Sequence, residues 1–395
     1  MTAIDRWLLP EGIEEVLPPD AWRLEALRRR LLVLYRSWGY DLIVPPLIEY
    51  LDSLLTGTGH DLDLQTFKLT DQLSGRLMGL RADITPQAAR IDAHQLKREP
   101  PTRLCYLGPV LRTRPEGFAG SRCPLQVGAE LFGYAGVDGD VEILALMLET
   151  LRVTGISDVH LDLGHVGIYR GLAQQAGLAP EPEAVLFDAL QRKARPEIEG
   201  LLGELDLPAA VRDPLAQLAT LHGDGQVLER ARGVMAGAGA EVCAALDNLS
   251  AIAEGARRQL PGVPLYFDLA ELRGYGYQTG AVFAAYLPGH GQEIARGGRY
   301  DEIGKVFGSA RPATGFSTDL LTLMRLGSGA GDGLEGGIFA PAEPDPDLQR
   351  IIAELRAGGE RVVCALPGQS GGAREMGCDR VVMQIEGRWS MQALK

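Results

Sequence analysis

The sequence predicts an α+β fold: an antiparallel-rich domain over residues 1–326, interrupted by a helical insertion at about 170–260, and a small α/β domain at 338–395. Three observations carry that expectation. Strand patterns run up to SDVHLDL (157–163) and return at PLYFDLA (264–270), while the interval between is rich in Ala, Leu, Glu and Arg. Residues 327–337, GSGAGDGLEGG, hold six glycines and read as a linker. The segment after that linker alternates strand-like and helix-like stretches.

The elements follow in order. Residues 20–38 place Leu24, Leu27, Leu31, Leu34 and Trp38 at helical spacing behind the cap Asp20, and Gly39 stops the helix. A strand over Tyr40–Val44 ends at Pro45 and Pro46, which cannot donate to a ladder. TFKL and RLMGL flank a DQLSG turn, and residues 85–97 read as a helix with Pro86 in its first turn. RLCYLG and QVGAELFG are strands, and 138–153 is a helix. Prolines 180, 196, 208 and 214 divide the insertion into about five short helices. GAVFAAYL and GQEIARGG are strands, and RPATGFSTDLLTLMRL is a strand entering a helix. In the tail, GGIFAP, a helix at 346–357, RVVCALP and CDRVVMQIEG complete the small domain.

A length of 395 residues suits two domains with cores of their own, so no disulfide or metal staple is needed. The net charge of −13 argues against a protein that lives on a nucleic-acid backbone. The N-terminus lacks a basic leader, no apolar run is long enough to span a bilayer, and the expected location is cytoplasmic. Cys105, Cys123, Cys243, Cys364 and Cys378 form no close pair and fit free thiols in a reducing compartment.

HExxH, a P-loop lysine and GxSxG are absent, no two histidines stand at i,i+4, and no base accompanies a cysteine in a short motif. No metal, no cofactor and no catalytic residue is expected. The informative positions are polar groups in apolar or glycine-rich segments: Asp83 and Thr85 in LRADIT, Gln126 and Glu130 in LQVGAELFG, and Arg273 and Tyr277 in LRGYGYQTG. Arg112, Arg114 and Arg122 cluster around LRTRPEGFAGSR, and Arg299 stands with Asp301 in GGRYD. Buried charges need partners, so these groups either pair with one another or face a ligand. Asp83 and Glu130 can grip an ammonium, Thr85 and Gln126 can add neutral hydrogen bonds, and an arginine can take a carboxylate or a phosphate. That chemistry permits an amino-acid or a nucleotide pocket.

These motifs resemble the class II aminoacyl-tRNA synthetase catalytic domain, and within it histidyl-tRNA synthetase, over about residues 5–326. The helix at 21–38 with GYDLIVPPLIE is similar to motif 1, which builds the family's dimer interface. CYLGPVLRTRPEGFAGSRCPLQVGAELFG (105–133) is similar to motif 2. LRADITPQAAR, LRGYGYQTGAVF and ARGGRYDEIG are similar to its histidine-specific stretches. The resemblance implies that Asp83, Thr85, Gln126, Glu130, Arg273 and Tyr277 hold histidine.

The departures shape the implied function. Arg114 stands where the family has the acid that reads adenine, and Pro124 replaces the aromatic that stacks on it. Leu321 and Thr322 occupy the positions of the motif 3 Glu-Arg pair, with Arg325 one turn on. RGYGYQ loses an acid at Gly276 and a tyrosine at Gln278. Adenylation needs positioned positive charge, so these losses are expected to silence it. The pattern then resembles the regulatory subunits of ATP phosphoribosyltransferase, catalytically silent relatives of the synthetase. That resemblance implies a cytoplasmic, self-dimerising subunit within a hetero-octamer-like complex with the short-form catalytic subunit. It would confer activation and histidine feedback inhibition at the first step of histidine biosynthesis, with no nucleic-acid or membrane partner. Arg112, Arg114, Arg122 and Arg299 are then candidate contacts to that partner or to phosphate. Two other readings stay open: a divergent histidyl-tRNA synthetase using Arg325, and a generic dimeric amino-acid-binding protein.

Overall fold

The computed structural model describes residues 7–56, 60–115, 120–303, 305, 310–328 and 336–394. Most of the Gly-rich segment, 329–335, lies outside the described residues. The chain divides into two compact units, one comprising Met1–Glu15 with Leu27–Gly329 and the other Val16–Ala26 with Ala330–Lys395. The short stretch Val16–Ala26 therefore groups with the C-terminal segment rather than with the rest of 1–326.

The predicted first helix forms as α1 (Asp20–Ser37), and its part in the larger unit buries Leu27, Leu31 and Tyr35 at helical spacing. Trp22 on the same helix is 58% exposed. Gly39, at φ +81, turns the chain into β1 (Asp41–Leu42), only two residues long before the prolines. β2 (Ile48–Tyr50), β3 (Phe67–Thr70) and β4 (Leu77–Leu80) make a small antiparallel sheet in the order β2-β4-β3. Its turn is closed by Asp71, which accepts from Leu73 N and the Ser74 hydroxyl. Sequence reasoning missed β2, which starts two residues after Pro46. The helix expected over 85–97 begins as α-helix at Thr85–Arg90 but continues as a π-helical turn, Ile91–Leu96, closed by left-handed Lys97.

The large sheet begins with β5 (Thr102–Pro109) and β6 (Leu125–Phe132), and the helix Val137–Val153 is largely buried because it packs on the sheet and on a later helix. β7 (His160–His165) leads into the insertion. Residues 166–259 form six helices, not five, and the last, Ala240–Gln259, is twenty residues long. This long helix packs on Val137–Val153 so closely that a Cβ on Gly255 would lie 2.6 Å from Val141 Cγ2. The insertion also supplies β8 (His222–Gly223), which pairs with β9 (Leu265–Asp268) at the sheet's edge. β10 (Ala281–Tyr286), β11 (Glu293–Arg299) and β12 (Ala313–Asp319) complete nine strands in the order β1-β5-β6-β12-β11-β10-β7-β9-β8. Only β1/β5 and β7/β9 pair in parallel, so the sheet is antiparallel-rich as expected.

The smaller unit has its own core of Ile338, Ala340, Leu348, Ile352 and Val382. Asp345 caps its helix, Pro346–Ala357, by accepting from Asp347 N and Leu348 N. β13 (Ile338–Ala340), β14 (Val362–Cys364), β15 (Arg380–Ile385) and β16 (Arg388–Ala393) order as β14-β13-β15-β16. β16 was not anticipated, because Glu386-Gly387 turns the hairpin with both residues at positive φ and glutamate is an unusual residue there. All five cysteines are free, and no helix among the described residues is long and apolar enough to cross a membrane.

Candidate functional site

The floor of the site is a glycine-rich part of the large sheet. Register aligns Gly128, Ser317, Arg296, Ala284 and Asp162 in one row across β6, β12, β11, β10 and β7. The next row on the same face reads Glu130, Gly315, Gly298, Val282 and Gly164. Over this floor lies a cavity of about 550 Å³. Its depth depends on missing side chains: a Cβ on Gly298 would fall 2.6 Å from Gln278 Oε1, and one on Gly315 1.5 Å from Glu130 Oε2.

Asp83, Thr85, Gln126 and Glu130 meet on one wall. Asp83 Oδ1 accepts from Thr85 N at 2.9 Å and from Gln126 Nε2 at 2.8 Å, while Gln126 Oε1 accepts from Ile84 N at 2.9 Å. Glu130 is 1% exposed. Its Oε1 accepts from the Thr85 hydroxyl and from Tyr106, each at 2.9 Å, and its Oε2 accepts from Tyr300. Burial pushes its carboxyl up to about 8, although the three hydroxyls work in the other direction.

Arg273 and Tyr277 reach the cavity from the loop between β9 and β10. Arg273 grips Glu271 with two nitrogens, at 2.7 and 3.0 Å, pairs with Glu293 at 2.8 Å, and donates to Tyr286 at 2.5 Å. Glu293 also pairs with Arg296 at 3.2 Å. Arg112 lines the cavity near Ala82, whose carbonyl accepts from its Nε at 3.3 Å.

The other three arginines stand elsewhere. Arg114 is exposed and off the cavity wall. Arg122 is occupied internally: it donates to Arg112 O and Glu11 O, each at 3.1 Å, and its guanidinium lies 5.4 Å over the Phe67 ring. Arg299 is corrected outright as a partner or phosphate contact. It is 6% exposed and binds Asp140 through Nε and Nη2, down to 2.9 Å, on the face of β11 away from the cavity. Strand alternation explains the error, because in GGRYD the tyrosine, not the arginine, shares the cavity side.

Sequence reasoning missed Tyr106, Tyr300, Asp162, Glu271, Glu293 and Arg296. Period-two alternation could have flagged Asp162, a lone carboxylate between the buried Leu161 and Leu163. Among the described lining residues, five carboxyl groups (Asp83, Glu130, Asp162, Glu271, Glu293) face three guanidinium groups (Arg112, Arg273, Arg296). At the start of the helix Leu320–Leu326, Asp319 accepts from Leu321 N, Thr322 N and the Thr322 hydroxyl, serving as a cap. Arg325 pairs with Glu14 at 2.6 Å and does not line the cavity. The arrangement suits a small zwitterion or cation with several polar handles better than a polyphosphate, which requires concentrated positive charge.

Comparison with known proteins agrees in fold and lineage. The histidyl-tRNA synthetase family model matches residues 12–323, and that of the ATP phosphoribosyltransferase subunit HisZ C-terminal domain matches residues 335–392. The chain is 65% identical over 382 residues, 97% of each chain, to the ATP phosphoribosyltransferase regulatory subunit of Thioalkalivibrio sulfidiphilus. A solved ATP phosphoribosyltransferase regulatory subunit/histidyl-tRNA synthetase from Bacillus halodurans C superposes with a TM-score of 0.84 at 28% identity, covering 95% of this chain and 97% of that one. Histidyl-tRNA synthetase from Nostoc sp. PCC 7120 shares the fold at 20% identity, with a TM-score of 0.76 over 95% of this chain and 91% of that one. The chain belongs to the family of ATP phosphoribosyltransferase regulatory subunits, built on a class II aminoacyl-tRNA synthetase-like fold.

Proposed function

We propose that this chain is a non-catalytic cytoplasmic subunit that activates the short-form ATP phosphoribosyltransferase catalytic subunit and carries histidine feedback inhibition, with histidine held in the cavity. The observation that carries this reading is the charge of the site. Carboxyl groups outnumber guanidinium groups on the described walls, and Arg273 is shared among Glu271, Glu293 and Tyr286. Arg325, the remaining candidate for a triphosphate, is held by Glu14. Adenylation needs cations aimed at developing phosphate charge, whereas an amino acid's ammonium is served by Asp83 and Glu130.

Feedback also demands coupling. Histidine must favour an arrangement of the complex in which the catalytic subunit is less active, and substrate must weaken histidine binding by the same factor. The test is a steady-state assay of the catalytic subunit from the same organism, with and without this chain, each with and without histidine. A rate that rises on mixing and falls with histidine supports the proposal. No change in any arm, together with histidine-dependent ATP–pyrophosphate exchange by this chain alone, would replace it with a synthetase activity.

A further inference from the structure

The cavity extends well beyond the wall that carries Asp83 and Glu130. Asp162 lines its far end, on β7. The register of β6, β12, β11, β10 and β7 puts four strand spacings, about 19 Å along the sheet, between Glu130 and Asp162. A single amino acid held on β6 is much shorter than that. Ala284 is the partner of Asp162 on β10, so the floor beside the carboxylate stays low.

Asp162 Oδ1 is buried and has no hydrogen-bond donor among the described residues. The cations around it are committed to other acids. Arg273 is divided between Glu271 and Glu293, Arg296 pairs with Glu293, and Lys193 holds Asp268 at 2.5 Å. Glu271 stands over β7 itself, since a Cβ on Gly164 would lie 2.9 Å from Glu271 Cβ. Three lining carboxyl groups (Asp162, Glu271, Glu293) thus meet two guanidinium groups (Arg273, Arg296), which leaves one carboxyl group without a counter-charge. Burial, together with Asp268 and Glu271, holds the Asp162 carboxyl above its ordinary range, and His160 and Arg273 do not offset them. A buried acceptor without a donor costs the fold free energy. A bound cation that carries N–H groups removes that cost, whereas a phosphate or a carboxylate adds to it.

We propose that the β7 end of the cavity is a second subsite, separate from the one on β6, which takes a small organic ammonium: Asp162 accepts from its N–H and balances its charge. Gln191, the last residue of the insertion helix Pro180–Gln191, borders the same space. This inference goes beyond the histidine reading and does not depend on it.

Ligand-observed NMR titration of the full chain tests it with propylammonium, with tetramethylammonium, a cation that has no N–H, and with propanoate, each in the presence and absence of excess L-histidine. The expected result is saturable binding of propylammonium alone, unchanged by histidine. Asp162→Asn keeps the shape and loses the charge, so it should weaken propylammonium binding about tenfold or more. Its melting temperature should be no lower than that of the natural chain, because an unpaired buried carboxylate has gone. In the natural chain, absence of saturable propylammonium binding, equal binding of tetramethylammonium, or displacement by histidine overturns the inference. Unchanged propylammonium affinity in Asp162→Asn overturns it too, as does a lowered melting temperature, which would give Asp162 a structural partner instead of a ligand.

Discussion

Glu130 on β6 and Gly315 on β12 are direct partners across the sheet, and a Cβ at residue 315 would lie 1.5 Å from Glu130 Oε2. The carboxylate occupies the space that any other residue at 315 would fill. Gly315→Ala must therefore expel Glu130 from its three hydroxyl donors or spread the strands. Overpacking of this kind costs about 1–3 kcal/mol, read as a fall in urea midpoint, and histidine binding should be lost with it. Gly200→Ala on the helix Arg195–Glu204 is the control, since nothing lies within 4 Å of a Cβ there. It should gain roughly 0.5–1 kcal/mol. A Gly315→Ala chain with the natural midpoint and affinity would refute the argument.

The Glu130 carboxyl also sets a pH dependence. Its ordinary value of 4.5 rises to about 8 by burial, with nearby Asp83 adding to the rise and Tyr300, Tyr106 and Thr85 opposing it. Between those two values the folded chain holds a proton that the unfolded chain has released, so stability falls as pH rises. The contribution is complete below 4.5 and lost as pH passes through about 8. Glu130→Gln cannot ionise, so the variant should gain melting temperature relative to the natural chain as pH goes from about 5 to 9. A difference that stays constant with pH would show that Glu130 remains charged in the folded chain.

What the sequence made legible, and what it hid, follows from the range of the forces involved. Asp83, Gln126 and Glu130 stand out because a polar side chain in an apolar strand must be answered by something, and local pattern reveals the demand. The answers come from afar: Tyr300 is 170 positions from Glu130, and Glu293 reaches Arg273 only because β11 and the β9–β10 loop converge. No window of sequence contains those approaches. Arg299 was misjudged for a different reason. Its charge invited a ligand, but parity along β11 sends it to the opposite face, where Asp140 was hidden inside an apolar helix. The π-helical turn at Ile91–Leu96 has no local signature at all, since its apolar spacing reads as ordinary helix.

The Arg299–Asp140 pair yields a prediction that separates support from contact. The side chains are 7% and 0% exposed, and Arg299 also donates to Tyr134 O at 3.1 Å. Removing one member strands a buried charge and costs about 3–5 kcal/mol, whereas replacing both with apolar groups recovers much of it. Arg299→Met should therefore be strongly destabilised in urea, and Arg299→Met with Asp140→Leu should regain stability. If Arg299→Met keeps its stability but no longer associates with the catalytic subunit, the arginine is a contact after all.

Tyr275 anchors the loop that delivers Arg273, Tyr277 and Gln278 to the cavity, and the anchor lies in the helical insertion. Its hydroxyl donates to Glu183 at 2.8 Å, and its ring meets those of Tyr169 and Phe187 at 5.5 and 5.1 Å. The Arg170 guanidinium sits 4.9 Å over that ring and donates to the carbonyls of Tyr275 and Gln278, at 3.1 and 3.0 Å. Aromatic and cation–π contacts of this kind contribute about 0.5–2 kcal/mol each, enough to hold a short loop that has no strand of its own. Tyr275→Ala should release the loop and raise the histidine dissociation constant about tenfold, while Tyr275→Phe, which loses only the bond to Glu183, should change it about two- to fivefold. Hydrogen exchange should quicken over residues 272–278 in Tyr275→Ala and stay unchanged in β10 and β11, because the sheet keeps its own ladder. Faster exchange throughout β10 would mean that the insertion supports the sheet itself, and that the loop has no separate anchor for a bound ligand to work against.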